Sequence, residues 1–170
     1  MGIISNSVWD TIKIGKTIAH QLQEADIICL FGQLGSGKTV LVKGIARGLG
    51  IRNKTIISPT FVLLRQYVTG KIALNHFDLY RLKAPKEILS LGYEDYLYDH
   101  AVSVIEWADR LKYLLPKEYL KIELIIKGKN KRLIKFSAYG NRYKKLLAKI
   151  YELRPFCKKN HLVIKGRYGV

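Results

Sequence analysis

The sequence predicts an α/β protein with a central, mostly parallel sheet, added antiparallel hairpins, and flanking helices. Two observations support this fold class. Continuous apolar runs of strand length at residues 27–31 and 101–105 are typical of strands buried on both faces of a parallel sheet. Segments with helical spacing of apolar residues lie between such runs, and two further pairs of strand-like segments are separated by short turns.

The first half of the chain begins with a predicted amphipathic helix over residues 8–22, with Ser7 as its N-cap. Its helical spacing indicates which side chains face the core, namely Val8, Thr11 or Ile12, Gly15, Ile18, Ala19 and Leu22. The strand at residues 27–31 follows. A second helix over residues 40–49 is expected to stop at Gly50, since glycine suits the left-handed conformation that ends many helices.

The second half contains two predicted hairpins and three other elements. The hairpins pair residues 61–67 with 72–77 and residues 120–126 with 132–137. Pro85 opens a short helix that ends near Gly92, and the strand at residues 101–105 follows it. Apolar residues at helical spacing predict a last helix over residues 141–153, and the weak periodicity after it indicates a mobile tail.

Composition and charge limit the classes of function. The 48% hydrophobic content is that of a globular protein, no apolar run approaches the roughly 18 residues of a membrane span, and no secretion signal is recognisable at the N-terminus. Cys29 and Cys157 have no ligand or redox partner nearby in sequence, so we expect reduced thiols and a cytoplasmic location. Residues 1–120 carry a net charge of +4 and residues 121–170 a net charge of +13, which favours contact of the basic C-terminus with tRNA or another nucleic acid.

Residues 32–39 read Gly-Gln-Leu-Gly-Ser-Gly-Lys-Thr and match the phosphate-binding pattern G-x-x-x-x-G-K-[ST]. The glycines let the backbone approach a polyphosphate closely, with several N–H groups turned towards one point. Lys38 is expected to contact the β- and γ-phosphates, and Thr39 to ligate Mg²⁺. Because a predicted strand precedes the loop and a predicted helix follows it, the sequence predicts a P-loop NTPase-like fold that binds ATP or ADP. We expect residues 1–140 to form this domain and residues 141–170 to add a basic helix and tail.

Two carboxylates end predicted strands near the loop. Asp78 lies in the segment His-Phe-Asp-Leu-Tyr-Arg at residues 76–81, and Glu106 follows the apolar strand at residues 101–105. Carboxylates in such places can hold Mg²⁺ or position an attacking water. His76 is interpreted as a packing residue with a satisfied hydrogen bond. Thr60, in Ser-Pro-Thr-Phe at residues 58–61, is either a switch residue that senses the nucleotide or an ordinary turn residue.

The segments GQLGSGKT, ISPTF, LNHFDLYRL, LGYEDYL and VIEWADRL, in this order, resemble the TsaE family of bacterial P-loop ATPases. Members of that family are accessory proteins in making N6-threonylcarbamoyladenosine at position 37 of tRNAs that read codons beginning with A. The resemblance covers residues 7 to about 137. It implies a Mg²⁺-dependent ATPase that is slow alone and works with the proteins TsaD and TsaB.

The resemblance also implies a set of site residues. Lys38, Asp78 and Glu106 would act in catalysis, and Thr39 and Glu106 would ligate the metal. The nucleotide would contact Thr11, Gln33, Leu34, Gly35, Ser36, Gly37, Lys38, Thr39 and Asp109, with Trp107 nearby. The chain departs from the usual family pattern at Gln33, where an acidic residue is usual, at Ser36, where alanine is usual, and at Ala108, where proline is usual.

Two other functions stay open from the sequence. Many P-loop proteins of this size are small-molecule kinases, although the segment 85–99 is too acidic to form the arginine-rich lid that such a kinase needs. The second alternative is a nucleotide-regulated RNA-binding module in which the basic C-terminus carries the activity. Arg81 is a candidate arginine finger within the chain, and a group supplied by a partner is the other source.

Overall fold

The computed structural model describes residues 2–51, 56, 63–90, 92–152 and 164–165. The strands are β1 (Gly2–Ser5), β2 (Ile27–Phe31), β3 (Leu64–Tyr67), β4 (Ala73–Asp78), β5 (Ala101–Glu106), β6 (Tyr119–Ile126), β7 (Arg132–Tyr139) and β8 (Ile164–Lys165). The α-helices are α1 (Val8–Ala19), α2 (Lys38–Gly48), α3 (Pro85–Leu89), α4 (Tyr93–Leu97) and α5 (Asn141–Glu152), and a kinked 3-10 segment spans Ala108–Leu114. Each helix in this part of the chain is too short or too polar to cross a bilayer.

All these strands belong to one mixed sheet with the order β3-β4-β5-β2-β6-β7-β1-β8. The four central strands, β4, β5, β2 and β6, run parallel to one another. β3 is antiparallel to β4 at one edge, and β7, β1 and β8 add antiparallel strands at the other. The predicted fold class, a parallel centre with antiparallel additions and flanking helices, is therefore confirmed.

Helices cover the sheet on two sides. On one side α1, α2 and α5 bury their apolar faces against alternate residues of the strands, including Leu30, Val104 and Ile122. On the other side α3, α4 and the 3-10 segment pack on the remaining residues of the central strands, such as Cys29 and Ile105. This division follows from the two-residue period of a strand, which sends neighbouring side chains to opposite faces.

Two glycines allow α1 and α2 to pack at close range. A Cβ atom on Gly15 would lie 2.5 Å from the Leu41 carbonyl oxygen, and one on Gly44 would collide with the Ile12 carbonyl oxygen. Backbone atoms have no freedom to move aside as a flexible side chain does. The close packing holds α2, whose N-terminus forms the end of the phosphate-binding loop, against the first helix of the chain.

The helix α5 is anchored to the start of β2 by polar contacts. Arg142 donates from Nε and Nη2 to the buried Asp26 carboxylate at 3.0 and 2.6 Å. The Tyr143 hydroxyl accepts a hydrogen bond from the Ile27 backbone N–H at 2.6 Å. Burial raises the pKa of Tyr143 to about 12. The basic C-terminal helix is thus tied to the strand that leads into the phosphate-binding loop.

The predicted elements are confirmed where the structure describes them, and four elements were missed. Ser7 caps α1 by accepting from the Asp10 N–H at 3.0 Å, as predicted. The prediction that Val8 faces the core is wrong, since it is 62% exposed; the buried side of α1 is centred on Ile14, Gly15 and Ile18, which face α2.

The missed elements are β1, α4, the 3-10 segment and β8, each too short to show a period. Thr60, residues 61–62 and most of the predicted mobile tail lie outside the described residues.

Candidate nucleotide-binding site

The phosphate-binding loop connects β2 to α2 at the carboxyl end of the central strands, where parallel α/β sheets place their ligands. Gly32, Gly35 and Gly37 have φ angles of 137°, 74° and 102°. This is the left-handed half of backbone space, which side chains disfavour, so the loop requires glycine there. The free N–H groups at the start of α2 face the loop and favour an anion.

Lys38 is held inside the site by backbone oxygens and an aromatic ring. Its Nζ donates to the carbonyl oxygens of Gly32 at 2.7 Å and Gln33 at 3.1 Å, and lies 3.6 Å from the centre of the Trp107 ring. The residue is only 4% exposed. Burial lowers the pKa of Lys38, while the carboxylates of Glu106, Asp78 and Asp109 act in the opposite direction. The Lys38 ammonium group is therefore already positioned within the loop, although burial removes part of its hydration.

The Glu106 carboxylate forms hydrogen bonds with two side chains, those of Thr39 and His76. The Thr39 hydroxyl donates to Glu106 Oε2 at 2.9 Å, so the two predicted metal ligands are neighbours. His76 Nε2 lies 2.9 Å from Glu106 Oε1; because a carboxylate only accepts, Nε2 carries the proton of this hydrogen bond. The other ring nitrogen of His76 is buried without a partner among the described residues. His76 is thus a buried, hydrogen-bonded residue as interpreted from the sequence, and the structure adds the identity of its partner, the Glu106 carboxylate that it orients.

Asp78 lies beside Glu106 on the neighbouring strand. The register of β4 and β5 pairs Asp78 directly with Glu106 and His76 with Val104. Asp78 is buried, and its Oδ1 accepts from the Tyr80 backbone N–H at 3.1 Å. The spacing of His76 and Asp78 was the sequence signal for the role of the histidine, because residues two apart in a strand point to the same face.

A cavity of about 380 Å³ lies beside the phosphate-binding loop, and Lys38, Thr39, Asp78 and Glu106 all line it. Tyr80 and Trp107, whose ring centres are 4.9 Å apart, form one wall. Trp107 has a φ of 60°, which is uncommon for a bulky residue and typical of residues that a site holds in place. The cavity is lined by Leu34, Gly35, Gly37, Lys38, Thr39, Val40, Asp78, Tyr80, Glu106 and Trp107.

A second cavity, of about 190 Å³, lies on the other side of the loop. Thr11 of α1 lines it together with Gly35, Ser36 and Gly37. The Thr11 hydroxyl is 2.7 Å from Ser5 Oγ, and either hydroxyl can donate. The structure therefore places Thr11 against the phosphate-binding loop, although 24 positions separate it from Gly35 in the sequence.

Arg132, at the start of β7, also lines this cavity and was missed by sequence reasoning. Its guanidinium donates to the carbonyl oxygens of Ser36 at 3.0 Å and Gly35 at 3.2 Å. The same group donates to Gly128, Lys129 and Lys131 carbonyl oxygens in the β6–β7 turn at 2.9, 3.2 and 3.1 Å. Arg132 thus fastens the phosphate-binding loop to that turn.

The remaining predicted residues differ in their relation to the site. Gln33 and Leu34 are exposed on the loop, and Gln33 contributes its carbonyl oxygen to Lys38. Ser36 is fully buried, and its hydroxyl has no partner within the described ranges. Asp109 is half-exposed and is not among the residues that line the two cavities, but it acts on the charge of Lys38.

The oxygen atoms of Thr39 and Glu106 suit a small, hard cation. Mg²⁺ prefers oxygen ligands and usually keeps several waters, with one or two protein groups and the substrate phosphates completing its shell. A hydroxyl and a carboxylate 2.9 Å apart provide this kind of partial shell. The described residues contain no group of three or more His, Cys, Asp or Glu side chains that could enclose a metal without help from a nucleotide.

Residues 5–134 match the protein family described as "Threonylcarbamoyl adenosine biosynthesis protein TsaE". This match covers more than half of the chain and includes every residue of the site. The chain belongs to the TsaE family. It is accordingly a P-loop nucleotide-binding protein of the family that takes part in tRNA threonylcarbamoyladenosine biosynthesis.

Individual members of the TsaE family show the same similarity. The tRNA threonylcarbamoyladenosine biosynthesis protein TsaE of Rickettsia felis is 40% identical over 131 residues, which are 77% of this chain and 76% of that protein. The protein of the same name from Bacillus subtilis is 39% identical over 137 residues, 81% of this chain and 85% of its own. The crystal structure of Bacillus subtilis YdiB matches with a TM-score of 0.79 and 31% identity, covering 91% of this chain and 95% of YdiB.

Proposed function

We propose that the chain is a Mg²⁺-dependent ATP hydrolase of the cytoplasm. It is required for forming the threonylcarbamoyl group on adenosine 37 of tRNAs that read codons beginning with A, and it acts on a TsaB–TsaD complex. The observation that carries the proposal is the convergence of Lys38, Thr39, Asp78 and Glu106 around one cavity at the phosphate-binding loop. Membership of the TsaE family supports the pathway.

Each of these residues has a role in hydrolysis that its position supports. Lys38 stabilises negative charge on the terminal phosphates, and the glycine loop with the N-terminus of α2 binds them through N–H groups. Thr39 and Glu106 hold Mg²⁺, which when bound neutralises phosphate charge. His76 keeps the Glu106 carboxylate turned towards Thr39. Asp78 orients the water that attacks the γ-phosphate in line with the leaving group.

The charges around the cavity favour slow hydrolysis by the protein alone. Among the described residues that line the larger cavity, Lys38 is a cation and no arginine is present. In other phosphate-transferring enzymes an arginine supplied to the site raises the rate by roughly 10³–10⁵. Arg81, next to the wall residue Tyr80, is the candidate within the chain, and TsaB or TsaD is the candidate outside it.

The test is ATP hydrolysis by the chain with and without TsaB–TsaD and tRNA. We expect stimulation by the complex that disappears in Glu106→Ala and persists in Glu24→Ala, which removes an exposed carboxylate far from the loop. Equal rates with and without the complex would contradict the proposed partners. Transfer of phosphate to a metabolite instead of water would favour the small-molecule kinase.

We also propose that tRNA contacts the basic C-terminal region. A truncation that tests the tail should remove residues 153–170 and keep α5. Arg142 and Tyr143 complete hydrogen bonds of the buried Asp26 and Ile27, so a cut at residue 140 would damage β2 as well. If tRNA binding and complex activity both survive removal of residues 153–170, the tail has no part in either.

A further inference from the structure

One region of the sheet presents an uncovered surface on the side opposite α1, α2 and α5. We define the open face as the outward-pointing residues of β6 and β7, with Ile4 of β1 beside them. The buried side of these strands is identified by Leu120, Ile122, Leu124, Ile134 and Phe136, which all belong to the core under the helices. The alternate residues therefore form the open face, and they are Lys121, Glu123, Ile125, Leu133, Lys135, Ser137 and Tyr139. Tyr119 points to the same side but is buried in the cluster under α3, α4 and the 3-10 segment.

The exposure of these residues shows that no described layer seals the open face. Lys135, Ser137 and Tyr139 are exposed, and Lys121 and Glu123 are half-buried. In contrast, the equivalent side of β2, β4 and β5 is buried beneath α3, α4 and the 3-10 segment. The open face is therefore a sheet surface with side chains available to a ligand, and β7 alone runs about 20 Å along it from Leu133 to Tyr139.

The electrostatic character of the open face is positive. Lys121 and Lys135 lie on it, with Glu123 as the single acid, and the register pairs Glu123 with Lys135 across the two strands. Residues 121–152 contain ten lysines and arginines and two acids, a net charge of +8, of which the open face itself carries +1 and the β6–β7 turn and α5 carry the rest. Basic residues concentrated in this way attract a polyanion over the length of a Debye screening distance.

Aromatic rings lie among these charges. Tyr119 and Tyr139 are stacked with ring centres 4.7 Å apart, and Tyr139 is 43% exposed. Lys121 Nζ lies 4.5 Å from the centre of the half-buried Phe31 ring, at the inner border of the open face. Lysines and exposed rings on the uncovered face of an antiparallel hairpin are the combination that binds single-stranded nucleic acid, because bases stack on rings while cations contact phosphates.

We propose that the open face binds the single-stranded loop of an RNA, with Tyr139 as the stacking residue and Lys121 and Lys135 as phosphate contacts. The inference rests on the proposed function for the choice of tRNA, and it places the contact on the folded sheet instead of the tail. An apolar protein partner fits less well, since the exposed residues of the face are Lys135, Ser137 and Tyr139.

The experiment measures binding of a fluorescently labelled tRNA anticodon stem-loop to the full chain at several salt concentrations. A fully paired duplex of the same length serves as the comparison RNA. We expect the stem-loop to bind more tightly than the duplex. In the double variant Lys121→Gln/Lys135→Gln, the slope of log affinity against log salt should fall by about 1.4, because each phosphate contact to a single strand contributes about 0.7.

The matched charge control is Lys144→Gln/Lys145→Gln. Both lysines are exposed on α5, on the other side of the sheet, and the variant has the same net charge. We expect it to retain most of the salt dependence. An equal loss in both double variants would overturn the proposal, since the attraction would then come from overall charge and not from the open face.

The stacking role is tested with Tyr139→Ala, Tyr139→Phe and Tyr113→Ala. Loss of one stacked base weakens binding about fivefold or more, and we expect this for Tyr139→Ala alone. Tyr139→Phe keeps the ring, and Tyr113 is 72% exposed outside the open face. Unchanged RNA affinity in Tyr139→Ala would overturn the proposal.

ADP binding by each variant confirms that the phosphate-binding loop is folded. ATP hydrolysis with TsaB–TsaD is measured separately, so failure of the proposed function and failure of RNA binding give different results. If the lysine variant lost stimulation by the protein complex and kept full RNA affinity, the open face would be a protein-docking surface and the RNA proposal would be wrong.

Discussion

Replacing Arg132 tests whether the β6–β7 turn holds the phosphate-binding loop in its binding conformation. The guanidinium makes two hydrogen bonds to loop carbonyl oxygens, at Ser36 and Gly35, and both are partly accessible to solvent. At about 1 kcal/mol each, their loss removes about 2 kcal/mol of loop ordering. If the loop has to be ordered again on binding, the dissociation constant for ADP or ATP rises about 30-fold.

The assay is calorimetric titration of ADP into wild type, Arg132→Ala and Arg132→Lys. Lysine keeps the positive charge but lacks the planar guanidinium that donates at once to the two loop carbonyl oxygens and to those of the turn. We therefore expect Arg132→Lys to resemble the alanine variant. Lys131→Ala is the matched control, because it removes the neighbouring exposed charge without removing a side-chain contact to the loop. Wild-type affinity in Arg132→Ala, or an equal loss in Lys131→Ala, would refute the reasoning.

Three further predictions concern the metal, the packing of the helices and the response to alkali. Glu106→Gln should bind ADP but lose the increase in affinity that Mg²⁺ gives to the wild type, which titrations with and without Mg²⁺ will show; a surviving increase would remove Glu106 from the metal site. Gly44→Ala places a methyl group against the Ile12 carbonyl and should cost about 1–3 kcal/mol in urea unfolding, whereas Gly128→Ala, with 3.7 Å to its nearest neighbour, should change little. The pKa of Tyr143 is raised from 10.0 to about 12, so the unfolded chain loses this proton first and stability falls as pH rises through that range. Tyr143→Phe should show a shallower decline over the same range, and an unchanged slope would contradict the assignment.

The parts of the site that follow from local pattern were predictable from the sequence. The phosphate-binding loop is a contiguous motif with its own strand and helix on either side. The meeting of Asp78 and Glu106 was also predictable, because each ends an apolar strand and the carboxyl ends of parallel strands meet at one edge of the sheet.

The contacts that depend on sheet order were not predictable. Arg132 reaches Ser36 across 96 positions because β6 pairs with β2, and its residue type alone in a hairpin gives no sign of this. β1 has only four residues and becomes a strand through its pairing with β7. The left-handed conformation of Trp107, which brings its ring over Lys38, has no local signal either, since tryptophan disfavours that conformation.

The contacts of α5 with the start of β2 also determine when β2 can complete its hydrogen bonds during synthesis of the chain. Asp26 and Ile27 leave the ribosome early, but their partners Arg142 and Tyr143 follow 116 positions later. At about 5–20 residues per second, that interval lasts roughly 6–23 s. During it the Ile27 N–H lacks its partner, and the Asp26 carboxylate keeps only the hydrogen bond from the Gln23 N–H at 2.8 Å. A nascent chain should therefore acquire its nucleotide only after α5 has been made, and a message truncated before α5 should yield a product that proteases remove.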